Sequence, residues 1–254
     1  MKTGILLHTY YLEILGWEEL VWGIPAQDKL GTLTKLADCL LDIPADEEVV
    51  SIIYDGPSNK DGMGEGYYTK QYLVDHFEEM RDFPRLRQKI ERLSPDEYQV
   101  FAGRIAGLTV GHAIRNTRQE IIDGAVHFAE AGVHRVLEIA AASHAPRCVK
   151  EQAVVRENGL LPSDQQWLLV PSETCFAGGS AADVLIREPA HRADDPLLDV
   201  HPSLSEVMER FQYDLGKDQH VEAVRRFDEV VTNLAAERVP AEAVLEPLSN
   251  SHSG

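Results

Sequence analysis

Residues 116–147 constrain the fold more than any other stretch of this chain. A polar start, Asn116-Thr117-Arg118-Gln119-Glu120, leads into a helical run. The apolar stretch 136–142 follows and stops abruptly at Ser143-His144-Ala145-Pro146-Arg147. Helix, apolar strand and the immediate start of another helix belong to a sheet covered by helices on both faces. The abrupt stop also sets polar side chains at the carboxyl edge of that sheet, where open α/β sheets hold their ligands.

The same alternation precedes and follows this unit. Residues 4–8 read as a short buried strand. Residues 11–28 read as an insertion folding over the sheet edge, its aromatic group being Tyr10, Tyr11, Trp17 and Trp22. Core packing is the expected role of these rings, with a pocket wall stacking on a planar ligand as the alternative. Leu30, Leu33, Leu36, Ala37, Leu40 and Leu41 recur at the helical period, and Pro44 closes that helix. A second strand is expected over 49–54, then a loop over 55–66 holding four glycines, then a helix over 67–80. A charged helical excursion covers 82–98, with Ser94-Pro95-Asp96-Glu97 opening a further turn. Thr117 and Glu120 have capping-box spacing, which makes Thr117 the expected helix cap. The helix ends at Gly132, and Ser143 is placed to cap the next one. Further strands are expected over 167–170 and 183–186. A helical tail follows, with Val221, Val224, Phe227, Val231 and Leu234 on one stripe.

The fold class this predicts is α/β: a three-layer, doubly wound, mostly parallel sheet with a helical C-terminal extension. The α/β domain spans 1–199, the extension 200–240 and a frayed tail 241–254.

Charge and cysteine usage narrow the function classes. There are 42 acidic residues against 24 basic ones, a formal charge of −18, and such a surface repels phosphate backbones and anionic membranes. No run approaches the roughly 20 apolar residues that cross a bilayer. Cys39, Cys148 and Cys175 are odd in number and widely spaced, which argues against a disulfide framework and predicts a reducing cytoplasm. The expected partner is a small molecule, not nucleic acid or membrane, and a homodimer is left open.

The chemistry-bearing groups gather at strand ends. His144 and Arg147 stand one helical turn apart: imidazole can shuttle a proton near neutral pH, and guanidinium can grip a carboxylate or phosphate. They are the candidate catalytic pair. Asn116 and Thr117 offer an amide and a hydroxyl at a helix start, and Ser143 precedes His144. Asp55, Gly56, Ser58 and Glu65 lie in or beside the glycine-rich loop, where Asp55 suits a ribose hydroxyl, an amine, a metal or an Asx turn. Asn59 and Lys60 belong to the same loop, which carries neither GxGxxG nor GxxxxGK[ST]. His8 and Thr9 end the first strand at the same edge. Residues 188–195, which include His191, Arg192, Asp194 and Asp195, form a further polar loop. His112, His144, His191 and His201 lack the spacing of a zinc motif, so no metal is expected. Cys148 and Cys175 are read as structural.

Asn116-Thr117, a helix, an apolar strand and Ser143-His144-x-Pro146-Arg147 together resemble the YdcF/SanA/ElyC-like family. Its usual run is Asn-Thr-x-Glu-Asn, a strand ending in Thr-Ser, and His-x-x-Arg at the next helix. The Asp55-Gly56 loop with Glu65 downstream is similar to that family's Ser-Gly-Gly loop. The resemblance covers roughly residues 4–190. It implies a Rossmann-like sheet and, from some soluble members, S-adenosylmethionine as the ligand. His8-Thr9-Tyr10 replaces the family's glycine-rich turn, Asp55-Gly56-Pro57 replaces Ser-Gly-Gly, and Gly111-His112 stands where an acidic residue is usual. These departures point to a different substrate, or to chemistry absent from other members.

The functional expectation is a small-molecule enzyme or binder with a nucleotide-like ligand at the carboxyl edge, S-adenosylmethionine being the leading candidate. The reading leans towards an enzyme, a transferase or lyase acting on that cofactor. Two alternatives stand beside it: a non-catalytic protein docking a partner through its acidic helical tail, and a hydrolase of a small phosphorylated or amide substrate. GxSxG is missing for the latter.

Overall fold

The computed structural model describes residues 2–114, 116–175 and 239–240. The strands of the main sheet are β1 (Lys2–Leu7), β2 (Glu48–Asp55), β3 (Thr109–Ala113), β4 (Arg135–Ala140), β5 (Gln166–Pro171) and β6 (Val239–Pro240). The helices of more than one turn are α1 (Thr32–Asp42), α2 (Glu65–Asp75), α3 (Pro84–Ile90), α4 (Pro95–Ala106), α5 (Thr117–Glu130) and α6 (Ala145–Glu157).

Five strands run parallel in the order β3-β2-β1-β4-β5, and β6 adds antiparallel to β5. This is a doubly wound, Rossmann-like sheet. Alternate residues of each strand serve opposite faces. Ile5, Leu7, Ile53, Leu137, Ile139 and Val170 face a core shared with α1, α2, α3 and α4. Leu6, Ile52, Val136 and Trp167 face the other, beneath α5 and α6. The result is three layers. Among the described residues no helix is long and apolar enough to cross a membrane.

The chain leaves β1 outward through α1 on one face, whereas it leaves β4 through α6 on the other. Strand order therefore reverses between β1 and β4, and the connections diverge there to leave a crevice at their carboxyl ends.

Local differences from the sequence reading have physical reasons. β3 was not foreseen, because Thr-Val-Gly-His-Ala is a mixed, half-exposed edge strand without an apolar run. The helix expected over 67–80 starts earlier, at Glu65, and gives way after Asp75 to 3-10 turns over Phe77–Asp82. The excursion resolves into α3 and α4, and Ser94 and Glu97 form the capping box of α4. Thr117 is not the cap of α5: Asn116 is, its side chain accepting from the Gln119 amide at 2.9 Å. Nor does Ser143 cap α6; His144 occupies the cap position and makes no side-chain cap bond.

The candidate strand 183–186, the polar loop 188–195 with His191, the helical residues of 200–238 with His201, and the tail 241–254 lie outside the described residues.

Candidate functional site

The loop after β1 crosses the carboxyl edge of the sheet and is tied to the chain that follows β4 and to the loop that follows β2. The Tyr10 hydroxyl accepts the Ala141 amide at 2.6 Å, just past the end of β4. The Leu12 amide donates to Ser58 Oγ at 3.0 Å, beyond the end of β2. The Trp17 indole donates to the Tyr10 carbonyl. Trp17 and Trp22 meet Tyr68, Tyr72 and Phe83 edge-on in the core, so packing is their role as expected. Tyr10 turns its hydroxyl to the site, and burial pushes its phenol well above its ordinary value.

His144, at the start of α6, is buried against this loop. Its Nδ1 lies 3.2 Å from the Tyr10 hydroxyl and its Nε2 3.0 Å from Thr117 Oγ1. The Tyr10 oxygen already accepts from Ala141, so its hydrogen is directed at Nδ1. The neutral ring then carries its proton on Nε2 and donates to Thr117, a tautomer assigned from the hydrogen-bond network. Both ring nitrogens are engaged.

Beneath His144 lies a group that sequence reasoning did not assemble. The His8 and His144 rings meet edge to face with centroids 5.1 Å apart. His8 Nδ1 lies 2.5 Å from Glu120 Oε2, and Nε2 lies 2.7 Å from Glu138 Oε1. Glu138 also accepts from the Gln152 amide. Burial alone would strip the proton from His8. The opposing pull of Cys148 and Glu120 outweighs it and holds the pKa well above 6.5. Burial pushes the Cys148 thiol up to about 12, and one oxygen each of Glu120 and Glu138 faces the two His8 nitrogens. His8 is thus a buried imidazolium donating to both.

Residue 138 carried a legible signal. A glutamate inside the apolar run 136–142 is a charge in a strand covered on both faces, and such a charge requires a partner. Glu120, which capping-box spacing predicts at the helix start, points inward to His8 from the first turn of α5 and is buried.

One ligand atom each of His8, His144 and Cys148 lies within 4.8 Å of the others, the one such trio among the described residues. A cation entering there would have to displace the His8 and Cys148 protons together, because both His8 nitrogens serve carboxylates. The trio as it stands fits a hydrogen-bonded core better than a preformed metal centre.

The glycine-rich loop forms a second group at the same edge. Asp55 Oδ1 accepts the amides of Gly56 at 3.1 Å and Gly66 at 2.8 Å, an Asx-type turn that starts α2. Glu65 is fully buried, and its Oε2 accepts from Ser58 Oγ at 2.9 Å. A Cβ at position 56 would come within 2.3 Å of that carboxylate, which explains the glycine there. Lys60 stands over the Tyr68 ring in an exposed hairpin with Asn59.

The expected site residues therefore fall into two groups on either side of Tyr10 and Leu12. His8, Thr117 and His144 come together under α5 and α6, with Thr9 and Ser143 buried beside them in the chain. Asp55, Gly56, Ser58 and Glu65 come together after β2. Asn116 caps α5. Arg147 is buried in the first turn of α6, and its charge adds to burial in lowering the pKa of Lys150. His112 stands apart, exposed and paired with Asp123 at 3.0 Å.

Compared with family models, curated proteins and solved structures, the chain matches none.

Proposed function

We propose that the protein is a small-molecule enzyme that binds a nucleotide-like metabolite in the crevice at the carboxyl ends of β1 and β4. One observation carries this reading. The reversal of strand order lies between β1 and β4, and Tyr10, Thr117, His144 and the buried His8 with its two glutamates converge there. Parallel sheets bind ligands at such a switch point, and buried ionisable networks cluster where chemistry is done.

The roles follow from the bonding. His144, held between Tyr10 and Thr117, is the proton-transfer group, and Thr117 passes the proton on. His8, Glu120 and Glu138 do not reach the ligand; they fix the floor on which His144 rests. Arg147 is the clamp for an anionic group of the ligand. Asp55 and Glu65 hold the neighbouring loop in shape, with Asp55 contacting a hydroxyl or amine. The resemblance to the YdcF/SanA/ElyC-like family makes S-adenosylmethionine the first cofactor to test, with a cytoplasmic transferase or lyase as the reaction class.

The test is a thermal-shift screen with S-adenosylmethionine, adenosine and adenosine monophosphate, since a ligand of the native state raises the melting temperature by mass action. At least one raises it in the wild type, and the rise is absent in Thr117→Val. A screen in which none does so, or in which the rise persists in Thr117→Val, rejects the assignment.

A further inference from the structure

We infer that the amino end of α1 seats a phosphoryl group of the ligand, held by the Thr32 hydroxyl and the free amides of the first helical turn. The inference rests on the switch-point reading and narrows its ligand to a phosphate ester.

α1 starts at the carboxyl edge of the sheet, on the face opposite α6. Leu30, two residues ahead of it, is tied to the segment that follows β5. The Glu173 amide donates to the Leu30 carbonyl at 2.8 Å, and the Leu30 amide donates to Glu173 Oε2 at 3.0 Å. The next carbonyl, that of Thr174, accepts the Ala142 amide at 2.9 Å, beside the Ala141 amide that Tyr10 engages. Through residues 173 and 174 the start of α1 is thus linked to the end of β4 from which α6 departs.

A helix start leaves amides without an intrahelical acceptor, and the dipole there favours negative charge. Lys35 is the first residue of α1 whose amide closes on a carbonyl behind it, that of Gly31 at 2.9 Å, so Thr32, Leu33 and Thr34 supply the free amides. Gly31, at the cap position, has no side chain to satisfy them. The Thr34 hydroxyl is taken by the Trp22 carbonyl at 2.6 Å. The Thr32 hydroxyl differs: it is fully buried, and among the described residues no group hydrogen-bonds it. Thr32 is the first helical residue, and helical side chains tilt towards the amino end, which aims this hydroxyl at the open turn. A buried hydroxyl without a partner is costly, and a ligand oxygen is the partner this position lacks. The neighbouring Glu173 does not stand against an anion, because Arg85 holds both of its oxygens, at 2.6 and 2.5 Å. Three amides and a hydroxyl suit the three terminal oxygens of a phosphate monoester better than the two of a carboxylate.

The test uses the full chain and inorganic phosphate, with acetate as the carboxylate control at matched ionic strength and pH. Phosphate raises the wild-type melting temperature saturably, by about 3 °C at tenfold excess over its dissociation constant, and acetate raises it less. Thr32→Val removes the hydroxyl and keeps the shape. Without phosphate it melts at or above the wild type, because no hydrogen bond is lost, and it binds phosphate about tenfold more weakly. Thr32→Ser restores the hydroxyl and keeps the wild-type affinity. A threonine with a structural role alone gives the reverse pattern: Thr32→Val melts lower and its phosphate response is unchanged. Absence of a saturable phosphate effect in the wild type, an equal acetate effect, or an unchanged phosphate affinity in Thr32→Val would overturn the inference. If phosphate fails while adenosine or S-adenosylmethionine stabilises the wild type and not Thr117→Val, the switch-point reading stands without it.

Discussion

Glu120 places its Oε2 2.5 Å from Nδ1 of His8, joining the first turn of α5 to the end of β1. Glu138 holds the opposite nitrogen at 2.7 Å, so one imidazolium ties a helix and two central strands together. All three side chains are buried. Removing one partner of a buried, hydrogen-bonded charge leaves the remainder uncompensated, which costs about 3–5 kcal/mol. Glu138→Ala should lose stability on that scale in urea unfolding. A loss under about 1 kcal/mol, the range of an exposed pair, would show that the network is open to water.

Stability should also depend on pH through His8. Its folded pKa lies above the unfolded value of 6.5, so above that pH the folded state keeps a proton that the unfolded state has released. The stabilising contribution is complete below pH 6.5 and is lost as pH climbs through the folded value. Wild-type urea midpoints therefore fall from pH 6.5 towards 8, and His8→Gln flattens the slope. Cys148, pushed up to about 12, steepens the fall in the same direction where unfolded thiols ionise, above about pH 8.5. A wild-type midpoint rising over the lower interval contradicts the charge state assigned to His8.

Thr117 separates binding from folding. Its hydroxyl meets His144 Nε2 at 3.0 Å, while the cap of α5 belongs to Asn116. Thr117→Val keeps the shape and should cost about 1 kcal/mol, the net worth of one hydrogen bond, while abolishing the ligand response. Asn116→Ala should lose a similar amount through the lost cap and retain a ligand response. Circular dichroism melts with and without ligand distinguish the two.

Asp55 makes a matching contrast at the neighbouring loop. Its Oδ1 accepts two backbone amides, a task an asparagine oxygen can also perform. Asp55→Asn should therefore melt within about 0.5 kcal/mol of the wild type, whereas Asp55→Ala loses about 1–2 kcal/mol, as helix-start caps do. Weakened ligand binding in Asp55→Asn would assign the carboxylate charge to the ligand; unchanged binding confines Asp55 to the turn.

The alternation of buried strands and amphipathic helices was legible because burial on both faces leaves continuous apolar runs such as 136–142. Thr109–Ala113 was not, since an edge strand half open to solvent carries no such run. Within the site, Ser143-His144 and Thr117 stood out as polar groups at abrupt strand and helix ends. Glu120 was misassigned because the spacing of a capping box and that of an inward-facing carboxylate one turn into a helix differ by a single residue. Asn116 holds the cap, which frees Glu120 for His8. The pairing of residue 8 with residue 138 depends on β1 and β4 being neighbours, and strand order leaves no mark on local sequence.

The most direct measurement is the long-range proton–nitrogen spectrum of the imidazole rings at neutral pH, recorded with and without S-adenosylmethionine or adenosine monophosphate. The account predicts His8 protonated on both nitrogens, His144 neutral with its proton on Nε2, and His144 signals that shift on ligand addition while those of the exposed His112 and His134 do not. A neutral His8, or a His144 indifferent to every ligand that raises the melting temperature, would contradict a ligand site between β1 and β4.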